Sequence, residues 1–195
     1  HDNSSMFQIF ERLNTGGVPL SQQEIRNSLF HGKIIDLLNK LNENKNWRKL
    51  IGKETPDPRM RDIELILRFF SLYKNWENYK PSMKDFINNF MNSNKNLDEK
   101  EKQKLTTLFN ETIDVVYNNI GKNAFRLKSY VNAAVFDSVI VSVAELSKSN
   151  ISKNLKEKLE HLKTESAYID SVSQSTTNLE QLRARIKMAK EALKK

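Results

Sequence analysis

Residues 130–146 read YVNAAVFDSVIVSVAEL, from Tyr130 to Leu146, and form the longest apolar stretch of the chain. Apolar positions occur nearly all round a helical wheel, so a helix formed here must be covered by its neighbours. The stretch is shorter than the roughly 20 residues that cross a bilayer, and polar residues interrupt it. We therefore predict a buried central helix. The β-branched residues would equally suit a buried strand, but no partner strand is recognisable.

The sequence on either side shows the three- and four-residue spacing of amphipathic helices, as in Met60, Ile63, Leu67 and Phe70. Five glycines and four prolines in 195 residues leave few turns for a β-sandwich or barrel. The sequence predicts an all-α fold, with residues 1–195 forming a single helical domain. In it, an irregular multi-helix bundle of about eight to ten helices surrounds the central helix. A Ser/Thr-rich connection is expected at residues 171–177.

The composition excludes several classes of protein. No cysteine is present, and the three histidines, His1, His31 and His161, are far apart in sequence, so we expect no metal site. Nothing resembles a membrane span or a signal peptide, and we therefore expect a cytoplasmic protein with no membrane partner. The chain begins with histidine rather than methionine, and we expect it to be a fragment whose N-terminal part is missing.

A helix start is well marked near the N-terminus. Ser21 is followed three residues later by Glu24, which is the spacing of a capping box. We predict that these two residues have a structural role and that the helix runs from about residue 22 to residue 31.

The segment before this cap, residues 10–20, reads FERLNTGGVPL. Arg12, Asn14, Gly16 and Gly17 place a cation, a side-chain amide and free backbone N–H groups next to the start of a helix. That combination can receive a phosphate. It is also typical of an ordinary corner between two helices, and the pattern alone does not separate the two.

Basic residues exceed acidic ones, 32 against 24, which gives a net charge of +8. Arg183, Arg185 and Lys187 belong to the densest basic patch and are candidate contacts to a DNA backbone. Arg59 and Arg61 are further candidates. The same excess charge is also compatible with solubility alone.

Charges of both signs alternate between residues 59 and 68. Pairs such as Arg61 with Glu64 and Glu64 with Arg68 have the spacing of ion pairs along one helix. This pattern favours an ion-pair network, either solvated or between helices, over a contact to DNA.

Asp137 lies inside the most apolar segment. A buried carboxylate needs a partner, and Arg126 and Arg68 are the candidates. We expect a structural ion pair rather than catalysis, because no second titratable group accompanies Asp137 in the sequence.

Residues 9–27, IFERLNTGGVPLSQQEIRN, resemble the signature of the GmrS-like subunit of GmrSD-type modification-dependent restriction systems, which act in phage defence. Weaker landmarks follow in the same order through nearly the whole chain: residues 59–64 and 67–69, Phe125-Arg126, Phe136-Asp137, and Thr176-Thr177 before Arg183. The N-terminal part of the family has a ParB/sulfiredoxin-like fold with an Asp-Gly-Gln-Gln-Arg motif, associated with nucleotide hydrolysis. That motif is absent from this chain, as is an HNH nuclease constellation.

The resemblance implies that this chain is the helical C-terminal part of such a protein and lacks its ParB-like catalytic part. By resemblance, Arg12 and Asn14 would line the nucleotide site of the intact protein, with Gly16 and Gly17 letting the backbone approach. The intact protein would use a nucleoside triphosphate and a divalent metal ion, whereas we expect the fragment to have no catalytic residue and no cofactor.

Two functions follow from these expectations. In the first, the chain helps couple nucleotide hydrolysis to the recognition or restriction of foreign or modified DNA. In the alternative, it is a non-enzymatic interaction or dimerisation module that links the ParB-like part to an effector nuclease and makes no DNA contact.

Overall fold

The computed structural model describes residues 3–14, 18–146 and 150–195. Within these ranges the chain forms eleven α-helices and one 3-10 helix. The β-type backbone pairs of the described residues are two isolated bridges, between Arg126 and Val131 and between Ile151 and Lys194. The all-α prediction is confirmed. The helices are α1 (Asn3–Leu13), α2 (Gln22–Leu29), α3 (Lys33–Asn42), α4 (Lys45–Ile51), α5 (Arg61–Asn75), α6 (Met83–Asn94), α7 (Glu99–Asn119), α8 (Ala133–Glu145), α9 (Leu155–Leu162), α10 (Ser166–Ser173) and α11 (Leu179–Leu193), with the 3-10 helix at Trp76–Asn78.

Two helix boundaries differ from the sequence prediction. Residues 171–177 were expected to be a connection, but Ser171 and Val172 are buried in α10. Helix α2 ends at Leu29, because Phe30 leaves helical geometry. The described residues also form eleven α-helices, slightly more than the eight to ten expected.

The central helix is α8. Every residue from Ala134 to Val143 is buried, and α8 packs against α5, α7, α10 and α11. It begins later than the apolar pattern suggested, since the Asn132 side chain accepts hydrogen bonds from the backbone of Ala134 and Val135 and caps the helix. Tyr130 is 69% exposed and lies outside it. None of the described helices is both long and apolar enough to cross a membrane.

An aromatic cluster joins α4, α7 and α8. The Trp47 ring lies 5.9 Å from Phe109, 6.5 Å from Phe125 and 5.8 Å from Phe136, measured between centroids. Trp47 is fully buried, and its indole N–H donates to Asn42 Oδ1 at 2.9 Å. The cluster therefore buries a large apolar area without leaving the indole nitrogen unpaired.

Asp137 is fully buried in the middle of α8 and pairs with two arginines. Arg68 donates to its two oxygens at 2.5 and 2.7 Å, and Arg185 donates at 2.8 Å. Burial lowers the pKa of the Arg68 guanidinium, but the charge and hydrogen bonds of Asp137 together raise that pKa above its ordinary value. The pairing with Arg68 is confirmed.

The prediction that Arg126 pairs with Asp137 is wrong. Its guanidinium instead donates to the carbonyl oxygens of Leu50, at 2.8 Å, and of Lys122. Arg126 thus ties the end of α4 to the turn after α7, and its structural role is to hold backbone rather than to neutralise a carboxylate.

The charged residues of α5 pair with other helices. Asp62 accepts from Arg48 of α4 at 2.7 Å, and Glu64 accepts from Arg26 of α2 at 2.9 Å. The predicted pairs of Arg61 with Glu64 and of Glu64 with Arg68 are wrong, because Arg61 pairs with Asp57 at 2.9 Å and Arg68 pairs with Asp137. The network between helices exists, and α5 lies at its centre.

Replacing the central carboxylate tests this arrangement. We expect Asp137→Ala to lower the free energy of unfolding by about 3–5 kcal/mol, because two buried arginines lose their counter-charge. Urea denaturation measures the change. The matched control is Asp36→Ala, on the exposed side of α3, which should change stability by less than about 0.5 kcal/mol. Similar small losses for both variants would contradict the role of Asp137.

Candidate functional site

The corner between α1 and α2 was the strongest site candidate, and its cap forms as predicted. Ser21 Oγ accepts from the Glu24 backbone N–H at 3.1 Å, and Glu24 accepts from the Ser21 backbone N–H at 2.6 Å. The capping box is therefore complete. Hydrogen bonding to the Ser21 backbone lowers the pKa of Glu24 below its ordinary value.

Asn14 closes the loop that precedes this cap. Its Nδ2 donates to the Leu20 carbonyl at 2.9 Å, and its Oδ1 accepts from the Leu20 backbone N–H at 2.8 Å. Both polar atoms of the amide are thus engaged with the chain itself. The observed role of Asn14 is therefore structural: it closes this loop. Gly16 and Gly17 lie outside the described residues.

Arg59 fastens the same loop to the start of α5. Its guanidinium donates to the Pro19 carbonyl and lies 3.3 Å from Glu24, while its carbonyl accepts from Ser21 Oγ at 2.9 Å. Arg12, at the end of α1, is exposed. Among the described residues it has no ion pair, so it is the one cation of this corner that is free to meet an anion.

The residues proposed to contact a DNA backbone are mostly engaged elsewhere. The prediction that Arg185 contacts DNA is wrong, because its side chain is fully buried against Asp137. Arg183 donates to the Glu77 carbonyl, and Arg61 pairs with Asp57 although it is 71% exposed. Lys187 is exposed. Among the basic residues of α11 in the described part of the chain, Lys187 is the exposed one without an ion pair.

No catalytic constellation is recognisable in the described ranges. They contain no group of three or more histidines, aspartates and glutamates that could hold a metal ion. Burial raises the pKa of Tyr168 to about 12, and its hydroxyl lies 2.7 Å from Ser138 Oγ. It stays protonated at neutral pH and serves as a buried hydrogen-bonding group.

The apolar side chains of α1 divide between core and solvent, which the sequence pattern did not reveal. Phe7 is buried, whereas Ile9, Phe10 and Leu13 are exposed together with Met6. The spacing of these residues is that of one apolar helix face and was visible in the sequence. Which part of that face is covered depends on α2 and α6, the helices against which α1 packs.

Comparison of the chain with protein-family models, with curated proteins and with solved structures found no match.

The capping box and the free arginine are expected to differ in their effects on stability. Ser21→Ala should cost about 1 kcal/mol, because the first turn of α2 loses its cap. Arg12→Ala should change stability by less than about 0.5 kcal/mol, since the side chain is exposed. Chemical denaturation of both variants measures this difference. A larger loss for Arg12→Ala than for Ser21→Ala would make Arg12 a structural residue.

A pH dependence follows from the same hydrogen bonds. The pKa values of Glu11 and Glu24 are lowered from 4.5, by the side chain of Lys84 and the backbone of Ser21 respectively. Because the folded state favours the ionised carboxylates, their contribution is present above the ordinary pKa and is lost as the pH falls below it. We expect the stability difference between wild type and Glu24→Gln to shrink steadily as the pH falls below the ordinary glutamate pKa and through the lowered one. Thermal melts across this range measure it, with Glu43→Gln, an exposed residue, as control; a constant difference would contradict the prediction.

Proposed function

We propose that this chain is the non-enzymatic helical part of a GmrS-like protein and that it docks through α1 onto the nucleotide-hydrolysing ParB-like part. The resemblance of residues 9–27 to the family signature supports this proposal. The observation that carries it is the apolar face of α1. Met6, Ile9, Phe10 and Leu13 are all exposed, Leu13 to 74%.

These four side chains form one stripe about 100° wide on the helix, which is the width of a face that normally packs on a core. Two apolar residues of the loop before α2 are exposed as well, Val18 to 82% and Leu20 to 43%. Among the described residues, Tyr130 is the one large apolar side chain exposed outside this region. Contiguous exposed apolar surface of this kind is typical of a protein–protein interface.

The position of the face fits the proposed partner. It adjoins Arg12 and the loop closed by Asn14, which are the residues that the resemblance assigns to the nucleotide site. Docking there would bring the free Arg12 guanidinium to the edge of the ParB-like part, where the nucleoside triphosphate and a divalent metal ion would bind. The helical part would then report the state of the nucleotide to the rest of a restriction system against foreign or modified DNA.

An apolar face favours a protein partner over a DNA backbone, because phosphates are recognised by cations and hydrogen-bond donors. The engagement of Arg183, Arg185, Arg59 and Arg61 by internal acceptors supports the same preference. The interaction-module hypothesis is therefore better supported than DNA contact at those positions.

The test measures binding of the chain to the separately expressed ParB-like part by isothermal titration calorimetry. Ile9→Glu/Leu13→Glu should weaken binding at least about a hundredfold, because each buried aliphatic side chain contributes about 1.5–3 kcal/mol. Its melting temperature should stay unchanged, since both residues are exposed. The matched control is Tyr130→Glu, which places the same charge on an exposed apolar residue outside the face.

Equal binding by the α1 variant and wild type would contradict the proposal. Sedimentation of the chain alone identifies the other occupant. If wild type dimerises and Ile9→Glu/Leu13→Glu does not, the face joins two copies of this chain and the ParB-like part docks elsewhere.

A further inference from the structure

Two adjoining cavities lie where the end of α4 meets the start of α5, the end of α7 and the turn before α8. Their volumes are about 700 and 710 Å³, and both are lined by Gly52 and Lys53. Gly52 has a positive φ of 70°, and a Cβ added there would lie 2.8 Å from the Arg126 guanidinium. The absence of a side chain at Gly52 therefore leaves room for the Arg126 guanidinium beside a residue that lines both cavities.

Three of the cations that line this double cavity are paired with aspartates: Arg48, Arg61 and Arg68. The other lining cations are Lys53 and Arg126 in the first cavity and Lys49, Lys53 and Lys122 in the second. No carboxylate of the described residues forms an ion pair with Lys49, Lys122 or Arg126. Arg126 is held by the carbonyl oxygens of Leu50 and Lys122, so its charge is fixed in place without being neutralised.

The carboxylates that line the cavities are already paired. Asp62 is bound by Arg48 and Glu64 by Arg26. Asp57 pairs with Arg61 at 2.9 Å and lies 3.9 Å from Lys53. Glu54 is the one lining carboxylate without an ion pair in the described part of the chain. The surface therefore keeps an excess of positive charge.

Each cavity also contains a tyrosine. Tyr130 lines the first cavity and is 69% exposed. Tyr117 lines the second, with Lys49 Nζ 5.2 Å from the centre of its ring. Tyr117 is partly buried, so Tyr130 is the exposed ring of the two. An exposed aromatic ring beside a basic surface is the arrangement by which proteins bind unpaired bases and the phosphates between them.

We propose that this double cavity binds a single-stranded nucleic acid, with phosphates on Lys53, Lys122 and Arg126 and a base stacked on Tyr130. In a duplex the bases are paired and stacked on one another, so they cannot lie on the ring; a single strand offers both groups at once. The proposal goes beyond the docking of α1, because none of the residues of the α1 face lines either cavity. It can therefore hold or fail independently.

The experiment titrates the 195-residue chain into a fluorescent oligothymidylate of about 12 nucleotides, within the usual site size of such surfaces, and follows anisotropy at several salt concentrations. For Lys53→Ala/Lys122→Ala we expect weaker binding and a slope of log affinity against log salt that is smaller by about 1.4, since each phosphate contact to a single strand contributes about 0.7. For Tyr130→Ala we expect affinity to fall about fivefold or more with the slope unchanged, because stacking releases no counterions.

The matched control is Lys100→Ala/Lys156→Ala, which removes two exposed lysines on α7 and α9 that line neither cavity. It should keep wild-type affinity. All replaced side chains in the test variants are exposed, and melting temperatures confirm that the variants fold. If the lysine variant melts earlier, the Tyr130→Ala result alone decides the question.

Three further ligands, an oligouridylate, a duplex and ATP, distinguish a single-strand site from a duplex site and from a mononucleotide site. Binding of oligouridylate as well as oligothymidylate supports a single-strand site that does not select the sugar. A duplex that binds as tightly as the single strand overturns the proposal, as does displacement of the oligonucleotide by equimolar ATP, which would indicate a mononucleotide site. Equal loss of affinity in the control variant, or no binding to any strand at low salt, overturns it as well.

Discussion

The buried carboxylate of Asp137 is the interaction on which the bundle depends. A carboxylate inside an apolar helix is stable only when cations and hydrogen-bond donors surround it, and Arg68 and Arg185 provide both. The Arg185 guanidinium also donates a hydrogen bond to the backbone carbonyl of Thr176 at 2.6 Å. One charge on α8 thus fixes the positions of α5, α11 and the connection between α10 and α11.

Helix α5 extends the same principle outward. Its charged residues face three different neighbours: Asp62 meets α4, Glu64 meets α2, and Arg68 meets α8. Each pair requires its own direction around the helix axis, so a rotation of α5 by one residue, about 100°, would break all three at once. The ion pairs therefore select one orientation of α5 among the several that its apolar residues would allow.

Because arginines lie inside the bundle, the net charge of +8 does not indicate where the positive charge of the surface lies. Arg68 and Arg185 are paired with the buried Asp137, so part of this charge is offset inside the bundle. Cations open to solvent lie beside an apolar or aromatic surface at Arg12, next to the α1 face, and at the double cavity around Lys53. Our two proposals therefore rest on these surfaces rather than on the densest basic run.

The sequence by itself determined the helical class, the buried helix α8 and the capping box of Ser21, because each depends on residues within one or two turns of one another. It did not determine which charges meet. Arg68 and Asp137 are 69 residues apart and Arg26 and Glu64 are 38 apart, so only the packed arrangement of helices decides their partners. The same holds for the open face of α1 and for the double cavity. Periodicity shows that a face is apolar, and composition shows that a segment is basic, but exposure is a property of what the rest of the chain leaves uncovered.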